Sequence, residues 1–251
     1  MKTLFHAYIM CRSMFCAIPS PQIWDEKARN RMLPFLPLVG VEIGLYWWLL
    51  SLLCRTLSLP ALMTGLVLCL YPCLVTGCIH LDGFMDVKDA ISSWRDLDRR
   101  REILKDSHVG SFAVIGVALV LLGQFAALAS LSPEGETLLL LWIPVVSRCG
   151  SALAVTALKP LSTSQYAGQA RPRGRIVCLI AELCLALTGG FLTCGMSALA
   201  LLAGIAAYAL ALGRAYRSLE GMNGDVAGYA LTLSETGMLV AWVLLQTWLK
   251  G

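Results

Sequence analysis

The chain has 251 residues, of which 57% are hydrophobic and 14% charged, with a net charge of +4 and a mean hydropathy of +0.71. Soluble domains carry about 25% charged residues, so these figures exclude an ordinary soluble globular protein and predict an integral membrane protein. We expect the positive charge on basic loops that face an anionic leaflet, and we predict no nucleic acid partner.

Seven apolar segments are long enough to cross a bilayer as helices, which takes about 20 residues each. The predicted spans are 34–54, 57–79, 109–131, 137–158, 176–193, 195–213 and 226–249. The fifth and sixth come from one apolar run, which we divide at Thr188-Gly189-Gly190. The sequence therefore predicts an all-α, polytopic membrane helix bundle that forms a single domain over residues 1–251.

Lys and Arg residues are distributed unequally between the connections. The N-terminal segment and the second, fourth and sixth connections hold five, six, four and two of them. The first connection and the C-terminal end hold one each, and the third and fifth hold none. Because basic loops stay in the cytoplasm, we predict a cytoplasmic N-terminus, a C-terminus outside and a cytoplasmic connection over about residues 80–108.

This second connection begins with a dense set of carboxylates. Asp82, Asp86 and Asp89 follow an apolar stretch that has no Lys, Arg, Asp or Glu. At 100° per residue, a helix over residues 82–96 would place these three and Asp96 on one face. Like charges at such spacing destabilise a helix, and Mg²⁺ would relieve the repulsion while keeping sites for substrate phosphates. The alternative is a solvated amphipathic helix whose acidic and basic residues neutralise one another.

The rest of the connection is basic, and a further cation lies inside the membrane. The cations of the connection's second half are Arg99, Arg100, Arg101 and Lys105. They could pair with phosphates, or the arginines could be an orientation anchor. Arg148 lies within the fourth span, where a charge is a functional-site candidate. Its alternative is a buried ion pair, with Glu42 or Glu182 as the expected partner.

Several of these segments carry a resemblance to a known family. HLDGFMDVKDA (80–90), EILKDSHVGSF (102–112), PFLPLVGVEIG (34–44), Ser147-Arg148 and GMNGDVAGYALTLSE (221–235) resemble the motifs of the cobalamin synthases. These are membrane-bound adenosylcobinamide-GDP ribazoletransferases, and the similarity extends over nearly the whole chain. The resemblance implies Mg²⁺-dependent transfer of the adenosylcobinamide-phosphate group from adenosylcobinamide-GDP to α-ribazole or α-ribazole 5′-phosphate, with release of GMP.

The resemblance also implies a location and partners. We expect the protein in the bacterial cytoplasmic membrane, in contact with lipid, with its active site facing the cytoplasm. A homo-oligomer or a complex with other cobalamin-assembly enzymes is a further expectation.

The resemblance assigns roles to individual residues. The predicted metal ligands are Asp82, Asp86, Asp89 and Asp225, the last of which holds a second metal or a ribose. Asp106 is expected to be a fourth ligand or the base that accepts the hydroxyl proton, and His80 is the alternative base. Lys105 is expected to neutralise the GMP leaving group. The predicted substrate contacts are Arg100, Ser107, Arg148 and Glu235.

Two other functions compete with this interpretation. The CDP-alcohol phosphotransferases of phospholipid synthesis also place aspartates at the cytoplasmic ends of membrane helices, although with longer spacing. A membrane transporter is the non-enzymatic alternative, with Glu42, Arg148 and Glu182 as a polar pathway. Transporters often contain internal repeats, and this sequence has none that we can identify.

Overall fold

The protein is built from α-helices joined by mostly short connections. A computed structural model describes residues 2–131, 135–162, 164–166 and 173–250, with side chains described as far as residue 248. The helices in these ranges are α1 Lys2–Phe15, α2 Glu26–Arg29, α3 Leu36–Thr56, α4 Ala61–Val75, α5 Ile79–Ser92, α6 Leu97–Ile103, α7 Ser111–Ala129, α8 Leu139–Ala157, α9 Arg173–Cys194, α10 Leu199–Leu219 and α11 Gly224–Lys250. No β-strand occurs in the described ranges, so the predicted all-α class is confirmed.

Six of the seven predicted spans overlap apolar segments long enough to cross a membrane, whereas the second, 57–79, contains only the 15-residue α4. Five segments among the described residues are long and apolar enough to cross a membrane, and the bent pair of α4 and α5 gives a sixth if it is counted as one span. One of the five, Arg173–Leu219, contains both α9 and α10. The predicted polytopic membrane bundle is therefore confirmed, whereas the orientation of its termini stays a prediction.

The division between α9 and α10 differs from the predicted one. Helix α9 continues through Gly189 and Gly190 to Cys194. The break is a short 3-10 turn that starts at Gly195, whose φ of 54° favours glycine. Beyond it the chain folds back, and Leu201 lies against Gly190. The predicted hinge at the Gly-Gly pair is wrong because those glycines serve helix packing instead of a turn.

Helix α8 is enclosed by α3, α9, α10 and α11. Helix α3 approaches it through Gly40 and Gly44, which lie one turn apart on the same face. A Cβ atom at Gly40 would be 2.7 Å from the carbonyl oxygen of Pro144, and one at Gly44 would overlap the backbone of Leu141. Small residues at this spacing let two membrane helices pack backbone to backbone, so the Gly-x-x-x-Gly pattern fixes α3 on the centre of the bundle.

Helices α4 and α5 meet at a sharp bend of 87°. Gly77 and Cys78, which connect them, both have left-handed backbone conformations, with φ of 60° and 62°. Helix α4 is apolar, whereas α5 carries four charged side chains in 14 residues. We therefore place α5 outside the apolar spans, at the start of the connection that leads to α7.

The predicted helix over residues 82–96 ends earlier, at Ser92. Trp94 has a left-handed conformation with φ of 55°. Asp96 then starts α6 as its N-cap, where its side chain accepts a hydrogen bond from the backbone N–H of Arg99. The first three aspartates share α5, but the prediction that Asp96 shares their face is wrong, since a capping aspartate begins a new helix.

Candidate functional site

Helices α5 and α11 pack closely enough to bring their acidic residues together. Gly83 of α5 lies against the backbone of Asp225, where a Cβ atom would be 2.8 Å from the Asp225 Cα. Gly228 of α11 lies against His80, where a Cβ atom would be 3.1 Å from the His80 carbonyl oxygen. A side chain at Gly83 would force the helices apart, and one at Gly228 would crowd the His80 carbonyl group, so the two glycines place Asp225 beside the aspartates of α5.

The carboxylates at this contact repel one another. Asp82 is exposed in the first turn of α5, and Asp86 is partly buried one turn further along. Burial raises the pKa of the Asp86 carboxyl to about 6, and the negative charges of Asp82 and Asp225 add to the rise. A cation placed among these groups would favour their ionised forms.

The start of α11 fixes the orientation of Asp225. Asn223 accepts a hydrogen bond from the backbone N–H of Val226 and donates one from its side-chain amide to Asp225 Oδ2, at 2.6 Å. Asp225 lies in the first turn of the helix, where the helix dipole favours a negative charge. Its carboxylate is therefore held in place before any ligand binds.

Asp89, the third predicted metal ligand, makes two hydrogen bonds to the start of α7. Its Oδ2 accepts from the backbone N–H of Gly110 at 2.6 Å, and its Oδ1 accepts from that of Ala113 at 2.8 Å. These amides belong to the N-cap and third positions of α7, which has no side-chain cap of its own. Both oxygens are engaged with backbone, so Asp89 is less available to a metal than Asp82 and Asp86.

The donors at this site are hard carboxylate oxygens, which suit Mg²⁺. Among the described residues, no group of three or more His, Cys, Asp or Glu side chains is arranged to hold a metal ion by itself. Mg²⁺ is usually bound by one or two carboxylates and completes its shell with water and substrate phosphates. The cluster of Asp82, Asp86 and Asp225 fits that mode, and magnesium binding stays a prediction.

Open space lies on two sides of the first turn of α5. The outer cleft, of about 420 Å³, is lined by Ser13, Met14, Cys16, Ala17, Thr76, Gly77, Cys78, Ile79 and Asp82. The inner pocket, of about 100 Å³, is lined by Phe15, Leu33, Leu36, Ile79, His80, Ser151, Val155, Gln165, Tyr166, Gly224, Asp225, Ala227 and Gly228. Asp82 thus borders the open space, and His80 and Asp225 border the narrow one.

His80, the alternative base, is fixed between neighbouring helices. Its ring stacks on Phe15 with 6.2 Å between ring centroids, and its carbonyl oxygen accepts a hydrogen bond from the Thr232 hydroxyl. The ring atom Nε2 is enclosed and has no hydrogen-bond partner in the described part of the chain. The residue as a whole is only partly buried.

Lys105, Asp106 and Ser107 lie in an exposed turn between α6 and α7. Asp106 Oδ1 accepts hydrogen bonds from the ring Nδ1 and the backbone N–H of His108, at 2.7 and 3.0 Å. These two bonds lower the pKa of the Asp106 carboxyl, which makes it a weaker base. Within residues 2–131, all of which are described, no hydrogen bond joins residues 105–107 to the aspartates of α5.

Arg100, a predicted substrate contact, is engaged at the end of α10 together with Arg101. Arg100 donates to the carbonyl oxygen of Ser218 at 3.3 Å, and Arg101 donates to that of Leu219 at 3.0 Å. The last carbonyls of a helix lack helical partners and carry partial negative charge. The two guanidinium groups therefore cap α10 and hold α6 against it.

Arg148 and Glu235, two further predicted substrate contacts, are paired with each other inside the bundle. Arg148 donates to Glu235 Oε1 at 2.9 Å, and the Ser147 hydroxyl donates to the same oxygen at 2.7 Å. Arg148 is 1% exposed and Glu235 is 7% exposed. The expectation that Glu42 or Glu182 is the partner of Arg148 is wrong, because α11 brings Glu235 to α8 across 87 positions of sequence.

Glu42 instead fastens α1 to α3, a contact that sequence reasoning missed. Arg12 donates to Glu42 Oε2 at 2.9 Å, and the Tyr8 hydroxyl donates to the other oxygen. Tyr8 and Arg12 are four residues apart and therefore share a face of α1. The four-residue spacing indicates that Tyr8 and Arg12 act together. It does not identify Glu42 as their partner, because that contact depends on how α1 packs against α3.

These features define a class: a helical membrane protein whose carboxylates gather where α5 and α11 meet. Comparison with known proteins gives the family. A family model described as cobalamin-5-phosphate synthase matches residues 7–243. The chain is 36% identical to the adenosylcobinamide-GDP ribazoletransferase of Clostridium perfringens (strain 13 / Type A), over 97% of this chain and 100% of the relative.

Two more relatives carry the same name. The protein of Clostridium botulinum (strain Alaska E43 / Type E3) is 35% identical over 94% of this chain and 96% of its own length. That of Pseudomonas putida (strain GB-1) is 33% identical over 86% and 88%. No solved structure matches the chain. The chain belongs to the cobalamin-5-phosphate synthase family and is an enzyme of cobalamin biosynthesis.

Proposed function

We propose that this enzyme transfers the adenosylcobinamide-phosphate group from adenosylcobinamide-GDP to α-ribazole or α-ribazole 5′-phosphate, with Mg²⁺, and releases GMP. The names of its relatives support this proposal. The observation that carries it is the convergence of Asp82, Asp86 and Asp225 beside an open cleft. Reactions at a diphosphate depend on positioning and on neutralisation of phosphate charge, and these carboxylates offer a place for the neutralising cation.

The proposed reaction is a phosphoryl transfer. A ribose hydroxyl of α-ribazole attacks the phosphorus attached to cobinamide, a new P–O bond forms, and the P–O bond to GMP breaks with its electron pair on GMP. The hydroxyl proton passes to a base. Mg²⁺, when bound, would neutralise charge on the phosphates, and one or two of the carboxylates of Asp82, Asp86 and Asp225 would hold it together with water.

The other predicted residues differ in how well their surroundings suit their roles. Lys105 and Ser107 are exposed and free to reach a substrate, so we retain them as contacts for the GMP phosphate. Hydrogen bonds from His108 favour the anionic form of Asp106, which suits the role of a metal ligand better than that of a base. Arg100 is engaged in capping α10, so it is less available to the substrate than Lys105 and Ser107.

We further propose that the site faces the cytoplasm of a bacterium. The connection between α4 and α7 holds six of the 20 Lys and Arg residues of the chain, and such loops are retained on the cytoplasmic side. GDP-linked substrates and Mg²⁺ are available there. Assembly with itself or with other cobalamin-assembly enzymes stays a prediction.

The test is GMP release by the purified protein supplied with adenosylcobinamide-GDP, Mg²⁺, and either α-ribazole or its 5′-phosphate. Asp86→Asn is expected to lose at least about 100-fold in kcat, since a metal ligand contributes several kcal/mol of charge stabilisation. Asp98→Asn is the matched control, because Asp98 is exposed on α6, and it should stay within about twofold.

Four outcomes are informative. If Asp86→Asn keeps its rate within about threefold of wild type, the metal assignment fails. If the wild-type protein makes no GMP from either acceptor, the proposed function fails. Turnover of labelled CDP-diacylglycerol would favour a phospholipid-type transferase, and cation uptake into proteoliposomes without GMP would favour a transporter.

A further inference from the structure

A cavity of about 390 Å³ lies between α3, α4 and α7, beside the first turns of α4. The outer cleft borders Thr76 and Gly77, which follow the other end of α4, so the length of that helix separates the two spaces. Pockets that hold organic ligands have volumes of about 300–1,000 Å³. The cavity is therefore large enough for a ligand, and the proposed reaction does not use it.

The cavity is a product of helix packing. Trp47 of α3 donates from its ring nitrogen to the carbonyl oxygen of Leu68 at 2.9 Å, and this bond joins α3 to α4. Gly65 of α4 lies against α7, where a Cβ atom would be 2.6 Å from the Cβ atom of Ala129. Because α4 is fastened to both neighbours, the space between the ends of the three helices is fixed by the fold.

The lining of the cavity changes from apolar inside to polar at the rim. Leu68 and Leu128 are buried, and the Ser51 hydroxyl donates to that of Thr137 at 2.8 Å, so these two hydroxyls are already paired. The exposed polar side chains of the lining, which form the rim, are those of Arg55, Ser58 and Thr64.

The rim lies at the level of lipid headgroups. Helices α3 and α7 belong to candidate membrane spans, and the cavity is beside the last turns of both. Leu57, Leu62 and Met63, next to the rim, are 62%, 63% and 52% exposed. A group of exposed apolar side chains marks a surface that is covered by another molecule or by a membrane. At the end of two spans, that surrounding is lipid.

Arg55 gives the rim its charge. It is the only Lys, Arg, Asp or Glu between Glu42 and Asp82, and its guanidinium donates to the carbonyl oxygen of Gly135 at 3.3 Å, which holds it at the rim. Guanidinium groups recognise phosphates through charge-assisted hydrogen bonds. A free anion matches the rim alone, and a hydrocarbon matches the interior alone. A phospholipid matches both.

We propose that this cavity binds one phospholipid molecule, with an acyl chain against Leu52, Leu68 and Leu128 and the phosphate at the guanidinium of Arg55. This lipid differs from those that cover the outer faces of the helices, because it enters the space between them. The proposal does not rest on the proposed function.

The test is native mass spectrometry of the detergent-solubilised protein with dioleoylphosphatidylglycerol. We expect wild type to retain one phospholipid at collision energies that remove the others. Dioleoylglycerol has the same acyl chains without a phosphate, and it should bind roughly tenfold more weakly or worse. Equal binding of the two lipids would overturn the proposal. Release of the phospholipid by inorganic phosphate would overturn it too, because a free anion would then be the ligand.

Two variants locate the lipid. Thr64→Trp places an indole in the cavity from α4 and is expected to reduce phospholipid binding at least about tenfold, whereas the matched control Thr64→Ser keeps the hydroxyl and the space and should bind as wild type does. Arg55→Gln should weaken binding of the phospholipid by roughly tenfold and leave that of dioleoylglycerol unchanged. A folded Thr64→Trp protein that retains the phospholipid as wild type does would refute the site.

A second measurement needs no variant. In a high-resolution map of the wild-type protein in nanodiscs of the same phospholipid, we expect elongated density between Leu68 and Leu128 that continues to Arg55. An empty cavity in such a map would overturn the proposal even if Thr64→Trp fails to fold.

Discussion

Replacing Asp89 with Ala removes the side chain that caps α7 from α5. The hydrogen bonds of 2.6 and 2.8 Å to Gly110 and Ala113 are lost, and two backbone N–H groups are left without acceptors. A hydrogen bond to a charged group contributes about 1.5–3 kcal/mol, whereas loss of an N-cap costs about 0.5–2 kcal/mol. The carboxylate is partly exposed, so water replaces part of the loss, and we expect a decrease of about 2–3 kcal/mol in the free energy of unfolding.

The measurement is unfolding in mixed micelles, followed by tryptophan fluorescence or pulse proteolysis. Asp89→Asn keeps one acceptor oxygen but presents its amide NH₂ group to the second backbone N–H. We therefore expect its decrease in the free energy of unfolding to lie between zero and that of the alanine variant. Asp98→Asn, in which an exposed aspartate of α6 is changed, is the control and should stay within about 0.5 kcal/mol of wild type.

The same variants distinguish capping from metal binding. If Asp89 is a cap, the Mg²⁺ concentration for half-maximal GMP release should change by less than about twofold in Asp89→Asn, whereas Asp86→Asn should raise it strongly. An Asp89→Ala protein of wild-type stability that needs far more Mg²⁺ would refute the capping argument and support the predicted role as a ligand.

Three further predictions concern packing and charge. Gly83→Ala is expected to lower the free energy of unfolding by about 1–3 kcal/mol and to reduce GMP release, because its Cβ would meet the backbone of α11. The control is Gly123→Ala, whose Cβ would meet nothing within 4 Å. It should be neutral or slightly stabilising in the same unfolding assay. Arg101→Gln should lower the free energy of unfolding by about 1 kcal/mol, because it loses the cap on α10. The control Arg99→Gln should lose less than about 0.5 kcal/mol, since the ion pair of Arg99 is exposed. Thermal unfolding compares the two variants. Arg148→Met should cost about 3–5 kcal/mol, and replacing its carboxylate partner by Leu as well should recover most of it; pulse proteolysis measures both.

Each of these has a contradicting outcome. Equal stability of the two glycine variants would mean that α5 and α11 are not in close contact. Equal effects of the two arginine variants would remove the capping role at α10. A double variant no more stable than the single Met variant would mean that the loss does not come from leaving Glu235 buried and unpaired.

The apolar spans could be predicted because their signal is local. The predicted fourth span, 137–158, agrees with α8 Leu139–Ala157 to within two residues at each end. The aspartate spacing likewise predicted a helix through Asp82, Asp86 and Asp89, and α5 provides it. The boundary after Ser92 was also readable, since an aspartate followed by charged residues is a helix-start signal.

The partners of charged side chains could not be predicted, because they depend on which helices meet. Asp89 reaches Gly110 over 21 positions, and Arg148 reaches Glu235 over 87. Asp89 was predicted to bind a metal and Arg148 to contact substrate, but both side chains form hydrogen bonds within the protein. Burial and pairing appear only after the helices pack, and no spacing rule gives them.

The contact between α5 and α11 also determines the direction from which a large molecule can arrive. Because Gly83 touches the backbone of the opposite helix, nothing can pass between the two. The exposed carboxylate of Asp82 is reached instead through the side bordered by Ser13 and Met14. The N-terminal helix is thus one wall of the outer cleft, and the contacts of Tyr8 and Arg12 with Glu42 hold this wall against α3.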